Sequence, residues 1–201
     1  MLDKLIQGLQ ATSHLEMVSV AFGLAYIVLA ARESIWCWPC AFIGTGSAVV
    51  LFWQGMLPME SLLNAYYLIM AVYGWWQWRY GGSNDGSNLK ISSWSVQQHL
   101  ICFTSVAILC AISGYYLSQY TNAALPYIDS FTTWSAVITT WMVARKILEN
   151  WLYWLVINSA SIYLYLEREF YLYAALFVVY IVIALYGYYE WRKHFKRPLD
   201  A

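Results

Sequence analysis

Seven apolar stretches run along the chain, each closed by a charge, a Gly or Pro, or a polar cluster. They predict helices at 17–31, 36–54, 58–78, 95–118, 130–144, 150–166 and 170–191. Several fall short of the roughly 20 residues that cross a bilayer. Aromatic and polar flanks extend them, and helices packed on protein tolerate being short or tilted. The clear linker lies between Tyr80 and Trp94, where Gly, Ser, Asn and Asp crowd into an exposed loop that divides the chain in two.

Sliding the sequence against itself by 113 residues pairs Arg32 with Arg145, Trp38 with Trp151, Leu51 with Leu164 and Tyr67 with Tyr180, without a gap. The same register pairs Tyr73-Gly74 with Tyr186-Gly187 and Trp78-Arg79 with Trp191-Arg192, and sets Glu16 opposite Asp129. A shared Y-G-x-x-x-W-R ending, in register with the earlier matches, marks a duplicated unit. The expected organisation is one all-α transmembrane domain over 1–201, with a three-helix repeat at 17–79, a linking helix at 95–118 and a second repeat at 130–192. Because the repeats start four helices apart they run parallel, a 3+1+3, SWEET-like arrangement and a recognised transporter design.

Charge orients this bundle, since Lys and Arg gather on the cytoplasmic side. With the carboxyl terminus inside, nine of the eleven basic residues are cytoplasmic: Arg32, Arg79, Lys90, Arg145, Lys146, Arg192, Lys193, Lys196 and Arg197. Lys4 and Arg168 lie outside with the amino terminus. Composition agrees with a membrane protein: 61% of residues are hydrophobic and 11% charged, against roughly 25% charged in a soluble domain. Zero net charge argues against nucleic acid as a partner. Met1 to Met17 lack the basic start, short apolar core and cleavage site of a signal peptide, so the chain reads as unprocessed, with its first helix directing insertion.

No ionisable side chain falls in the middle of a predicted helix, where each costs about 3 kcal/mol to insert. His14 and His194 flank the membrane, and His99 starts the fourth helix with no second ligand at metal spacing, so neither a metal nor another cofactor is expected. Cys37-Trp38-Pro39-Cys40 has the spacing of a dithiol redox centre, and Cys102 and Cys110 form a second pair. That reading makes the chain a membrane thiol oxidoreductase. Against it, Cys37 and Cys40 fall on the cytoplasmic side, whereas an oxidase of secreted thiols needs them outside, and their repeat mates are Asn150 and Tyr153. The cysteines are expected to pack between helices, and the chain is not expected to be an enzyme.

A binding surface is better supported. Trp151, Trp154 and Asn158 stand at i, i+3 and i+7, which sets two indoles and an amide on one helical face able to grip an aromatic ring and bond its edge. The alternative is an interfacial tryptophan belt with a helix-packing Asn. The third helix carries Asn64, Tyr67, Ala71 and Trp75 on a comparable stripe. Tyr67 has the repeat mate Tyr180, but Asn64 faces Phe177, an asymmetry that suits an asymmetric ligand or a single interhelical hydrogen bond. Trp38, Gly74 and Gly187 are assigned to the fold, with the glycines allowing close helix approach.

The E-N-W-x-x-W-x-x-x-N segment at Glu149–Asn158 and the Y-G-W-W-x-W segment at Tyr73–Trp78 resemble the PnuC family of vitamin transporters, and the resemblance covers nearly the whole chain. It implies uniport, by facilitated diffusion, of an unphosphorylated water-soluble vitamin across a bacterial inner membrane. It also implies trapping by a cytoplasmic kinase and a homotrimer. By the motif, Trp151, Trp154 and Asn158 carry over as ligand contacts. Asn64 lies where members for nicotinamide riboside tend to have Gln, and the segment around Gly44 and Thr45 lacks the Asn often seen there. These departures point to the thiamine branch, called PnuT, with nicotinamide riboside as the alternative and a SWEET-like sugar carrier as a further one. Both vitamins present a flat cationic ring, which indole and phenol faces attract by up to about 2 kcal/mol when desolvated. A membrane potential adds about 2.3 kcal/mol per charge per 100 mV, roughly fifty-fold accumulation without a coupling ion.

Overall fold

The computed structural model describes residues 14–54, 56, 58–82, 89–121, 125–167 and 170–196. Lys4, Arg168, Arg197 and positions 83–88 of the expected linker lie outside the described residues. Seven helices follow in order: α1 His14–Ala31, α2 Cys37–Gln54, α3 Pro58–Tyr80, α4 Val96–Tyr120, α5 Pro126–Ala144, α6 Asn150–Glu167 and α7 Tyr171–Phe195. Each lies within a few residues of its expected span.

Local chemistry sets the helix ends. At α4 the Ser95 hydroxyl accepts from the Gln98 backbone N–H while the Gln98 side chain accepts from Ser95 N–H, a capping box. Pro126 opens α5 in the first turn, where its missing N–H costs nothing. At the close of α1, Glu33 N–H donates to Ala30 O at 3.0 Å and Ser34 N–H to Leu29 O at 2.9 Å. At the close of α5, Lys146 N–H donates to Val143 O and Ile147 N–H to Met142 O, both at 3.0 Å. These are two Schellman motifs at repeat-equivalent positions. The left-handed residue that such motifs usually give to Gly is here Glu33, at φ 54°, and Lys146, at φ 51°.

Among the described residues, α1 packs on α2 and α7, α3 on α2 and α5, and α6 on α5 and α7, so six helices close a ring. The linking helix α4 stands outside the ring against α5. Helices α1, α2, α4 and α7 are each long and apolar enough to cross a membrane. Helices α3, α5 and α6 are less apolar because they bury polar side chains within the protein, among them Gln77, Thr139, Thr140, Asn150 and Asn158. Thr139 and Thr140 satisfy their hydroxyls on the carbonyls one turn back, Ser135 O and Ala136 O.

The repeats meet reciprocally. Trp78 of α3 donates its indole N–H to Val143 O of α5 at 3.2 Å, and Trp191 of α7 donates to Ala30 O of α1 at 3.0 Å. The Trp38 and Trp78 rings meet edge to face at 5.4 Å and 89°, the Trp151 and Trp191 rings at 5.5 Å and 87°, and Trp78 reaches Trp191 at 6.1 Å. Four indoles thus form one layer across a pseudo-twofold axis. The glycines of the Y-G pairs make room for it: a Cβ on Gly74 would come within 2.2 Å of the Trp38 ring, and one on Gly187 within 2.7 Å of Trp151. Their role is to seat an indole, a more specific one than general helix approach.

Candidate substrate cavity

An open cavity of about 1110 Å³ lies within the ring and extends to α4, whose Ile112, Ser113, Tyr116 and Leu117 also line it. Its floor is formed by Trp38 and Trp151, in the first turns of α2 and α6, together with Ala30 and Val143 near the ends of α1 and α5. Glu33, Lys146, Trp78 and Trp191 do not line it, so it stops at the indole layer. In the other direction it reaches Glu60, Thr121 and Asp129, at the opposite ends of α3, α4 and α5.

All six expected site residues, Trp151, Trp154, Asn158, Asn64, Tyr67 and Tyr180, line this one cavity. Their positions along the helices grade them by depth. Trp151 lies at the floor, Trp154 one turn above it, Asn158, Tyr67 and Tyr180 halfway along, and Asn64 near the far end. The stripe on α3 does not face the cavity along its whole length: Ala71 is in the core and Trp75 is exposed. Asn64 donates its amide nitrogen to the Glu60 carbonyl of its own helix at 2.8 Å. Gly44 and Thr45 also line the cavity, and the Thr45 hydroxyl is held by Ala41 O at 2.8 Å.

Four polar atoms of cavity-lining residues, Trp38 Nε1, Trp151 Nε1, Asn158 Nδ2 and Ser130 Oγ, are buried behind the cavity surface with no hydrogen-bond partner. A buried donor left unpaired costs about 1–3 kcal/mol, so a side-chain shift that brought one of them to a ligand acceptor would offset that cost. Aromatic side chains also line it, with Phe177 stacked on Tyr165 at 5.2 Å and set edge to face against Tyr180 at 5.6 Å.

Sequence reasoning missed three contributions. Trp38, assigned to the fold, also lines the floor, and its pairing with Trp151 at the repeat offset was the available signal. Glu60 and Asp129, in the first turns of α3 and α5, bring carboxylates to the far end, whereas the sequence analysis gave Glu60 no role and Asp129 only its place opposite Glu16. His194, expected only to flank the membrane, places Nδ1 2.5 Å from Glu33 Oε1. His99 sits 2.8 Å from the Tyr153 hydroxyl. No group of three metal-ligating side chains occurs among the described residues. The four cysteines are free thiols: Cys37 and Cys102 are buried, and Cys110 Sγ donates to Tyr127 O.

Below the floor, a strand-like segment crosses the α5–α6 turn. Ser92 N–H donates to Lys146 O at 2.9 Å and Leu148 N–H to Ser92 O at 2.8 Å. Glu149 secures the same crossing by accepting from the Ser93 hydroxyl and from Trp94 N–H.

A ring of membrane helices around an aromatic cavity that stops at an indole layer suits a membrane transporter, and the family of the chain shows that class. The chain belongs to the nicotinamide mononucleotide transporter family, whose pattern matches residues 13–193. It is 25% identical over 181 residues to the riboflavin/roseoflavin transporter RibM of Streptomyces davaonensis, covering 88% of this chain and 83% of that one. It is 24% identical to the nicotinamide riboside transporter PnuC of Escherichia coli, covering 89% and 85%, and 27% identical to that of Haemophilus influenzae, covering 92% and 82%. The crystal structure of the vitamin B3 transporter PnuC shares the fold, with a TM-score of 0.74 over 98% of this chain and 88% of that one at 21% identity. These relatives are transporters, which sets aside the oxidoreductase reading of Cys37 and Cys40.

Proposed function

We propose that this chain is a uniporter for a water-soluble cationic vitamin, thiamine in the first place, moving it down its gradient across a bacterial inner membrane. One observation carries the reading. The indole of Trp154, the phenols of Tyr67 and Tyr180 and the amide of Asn158 share a single cavity whose far end carries Glu60 and Asp129. Carboxylates at a mouth draw cations in from solution, and ring faces hold a flat cation inside. A single domain of two parallel repeats, 17–79 and 130–192, joined by 95–118, would rock about the indole layer to alternate access.

The positive-inside rule supports an outer amino terminus and a cytoplasmic carboxyl terminus, so that the cavity reaches the outer face. Accumulation then needs only the membrane potential and a cytoplasmic kinase as the trap, and the chain would work as a homotrimer. The short side chain of Asn64 and the absence of Asn around Thr45 favour thiamine. The named substrate of the Escherichia coli and Haemophilus influenzae relatives favours nicotinamide riboside as the second reading.

Titrating the purified protein with thiamine, nicotinamide riboside and riboflavin, followed by tryptophan fluorescence, tests both. Saturable quenching by thiamine that disappears in Trp154→Ala is the expected result. A preference for another vitamin replaces the substrate, and indifference to all three rejects the cavity as a vitamin site.

A further inference from the structure

Glu33 and Lys146 are repeat mates, 113 positions apart, and they bond to each other across the pseudo-twofold axis, Nζ to Oε2 at 2.8 Å. Both side chains are largely buried, at 19% and 8% exposure. The second carboxylate oxygen of Glu33 meets His194 Nδ1 of α7, and Lys146 Nζ lies 4.6 Å from the centre of the Trp78 ring. The pair therefore ties the α1–α2 turn, the α5–α6 turn and the indole layer together immediately beyond the cavity floor. Each residue is held in the left-handed conformation, where Gly is the cheaper choice. Strain of this kind persists where the side chain is needed, and it clusters at switch regions.

We propose that the Glu33–Lys146 ion pair is the gate at the basic end of the transporter, and that its rupture, with loss of the Trp78–Trp191, Trp78–Val143 and Trp191–Ala30 contacts between the repeats, opens the cavity on that side. The proposal rests on the alternating-access reading above but not on the identity of the vitamin. The two sides of the gate differ in anchorage. Both helix ends accept an indole N–H from the other repeat, Val143 O from Trp78 and Ala30 O from Trp191. The turn bearing Lys146 is also strapped by Ser92, while the turn bearing Glu33 adds its carboxylate contacts. Release therefore leaves the Glu33 side, and α2 with it, the more loosely held. Cys37 begins α2, is fully buried and belongs to the same cluster as the four indoles, which makes it a native reporter of opening.

The test measures alkylation of Cys37 by N-ethylmaleimide in proteoliposomes, by mass spectrometry, with Cys40, Cys102 and Cys110 replaced by Ala and no vitamin present. In that parent, labelling is slow. Glu33→Gln and Lys146→Met should each speed it at least about tenfold, equivalent to about 1.4 kcal/mol in the opening equilibrium. The exchanged pair, Glu33→Lys with Lys146→Glu, should return it part of the way to the parent, because the attraction between the turns is restored while His194 and the Trp78 ring lose their native partners. Unchanged labelling in the single variants, or an exchanged pair as reactive as they are, overturns the gate. Should a melting curve show that Glu33→Gln unfolds, Glu33→Asp carries the same test, since it withdraws the carboxylate by one methylene and keeps the charge. Failure here leaves vitamin binding by the cavity untouched, and failure of vitamin binding leaves this result standing.

Discussion

Glu33 and Lys146 occupy the same position in the two repeats and bond to each other, at 2.8 Å across the axis that relates them. A residue close to a twofold axis meets its own mate, so a perfectly symmetric dimer of repeats would set like charge against like. Duplication followed by divergence permits opposite charges there.

The pair makes stability depend on pH. Burial pushes the Glu33 carboxyl up, but Lys146 and His194 outweigh that, and it titrates below the ordinary glutamate range. A carboxyl whose folded value is depressed contributes stability above its unfolded value and loses it as pH falls through the folded value. The melting temperature of wild type should therefore exceed that of Glu33→Gln most near neutrality. The two should converge below the ordinary glutamate value of about 4.3. At neutral pH the difference should correspond to ~1–3 kcal/mol, less than for a fully buried pair because Glu33 keeps some solvent contact. Thermal unfolding in detergent across this range checks it, and a gap that persists unchanged into acid contradicts it.

Gly74 and Gly187 make room for Trp38 and Trp151, at 2.2 Å and 2.7 Å from an added Cβ. Replacing either with Ala should destabilise by about 1–3 kcal/mol through overpacking. Gly74→Ala should cost more, and Trp38→Phe should partly rescue it. If Trp38→Phe worsens Gly74→Ala, the contact is not what makes Ala intolerable.

The two reciprocal hydrogen bonds should contribute alike. Trp78→Phe loses the bond to Val143 O and Trp191→Phe the bond to Ala30 O, each at about 0.5–1.5 kcal/mol plus lost ring contact. Similar melting shifts in the two variants follow from the pseudo-twofold axis. A large loss in one with none in the other would mean that the repeats do not share load.

Asn158 is 1% exposed, with its amide nitrogen unpaired. Replacing it with Leu, which has the same branching and number of side-chain heavy atoms, removes a donor that costs about 1–3 kcal/mol when unsatisfied. Stability should hold or rise, while vitamin affinity falls at least about tenfold, the size of one ligand hydrogen bond. Calorimetric binding beside a melting curve separates these effects, and loss of both together would mark Asn158 as a packing residue.

Replacing the four cysteines with Ser should leave vitamin binding intact, because none of them lines the cavity. Loss of binding in a protein that still melts cooperatively would reopen a role for Cys37 and Cys40.

Helix number, helix position and the repeat were legible in the sequence because each is a local or periodic property. Apolar runs mark membrane helices one at a time, and Y-G-x-x-x-W-R recurs at a fixed offset. The α6 stripe of Trp151, Trp154 and Asn158 was legible for the same reason, since helical spacing alone sets three side chains on one face. Tertiary structure decided what happens between helices. In the sequence, Glu33 is an acid in a short turn and Lys146 one more charge on the basic side, and Trp38 is a fold residue. Closure of the ring from α1 to α7 and from α3 to α5 is what brings mates 113 positions apart into contact, makes Trp38 half of a floor and turns Glu60 and Asp129 toward one mouth. Hydropathy records how much of each helix avoids water, but the contact across a twofold axis depends on which face each helix turns to its neighbour, and that emerges only when all six pack together.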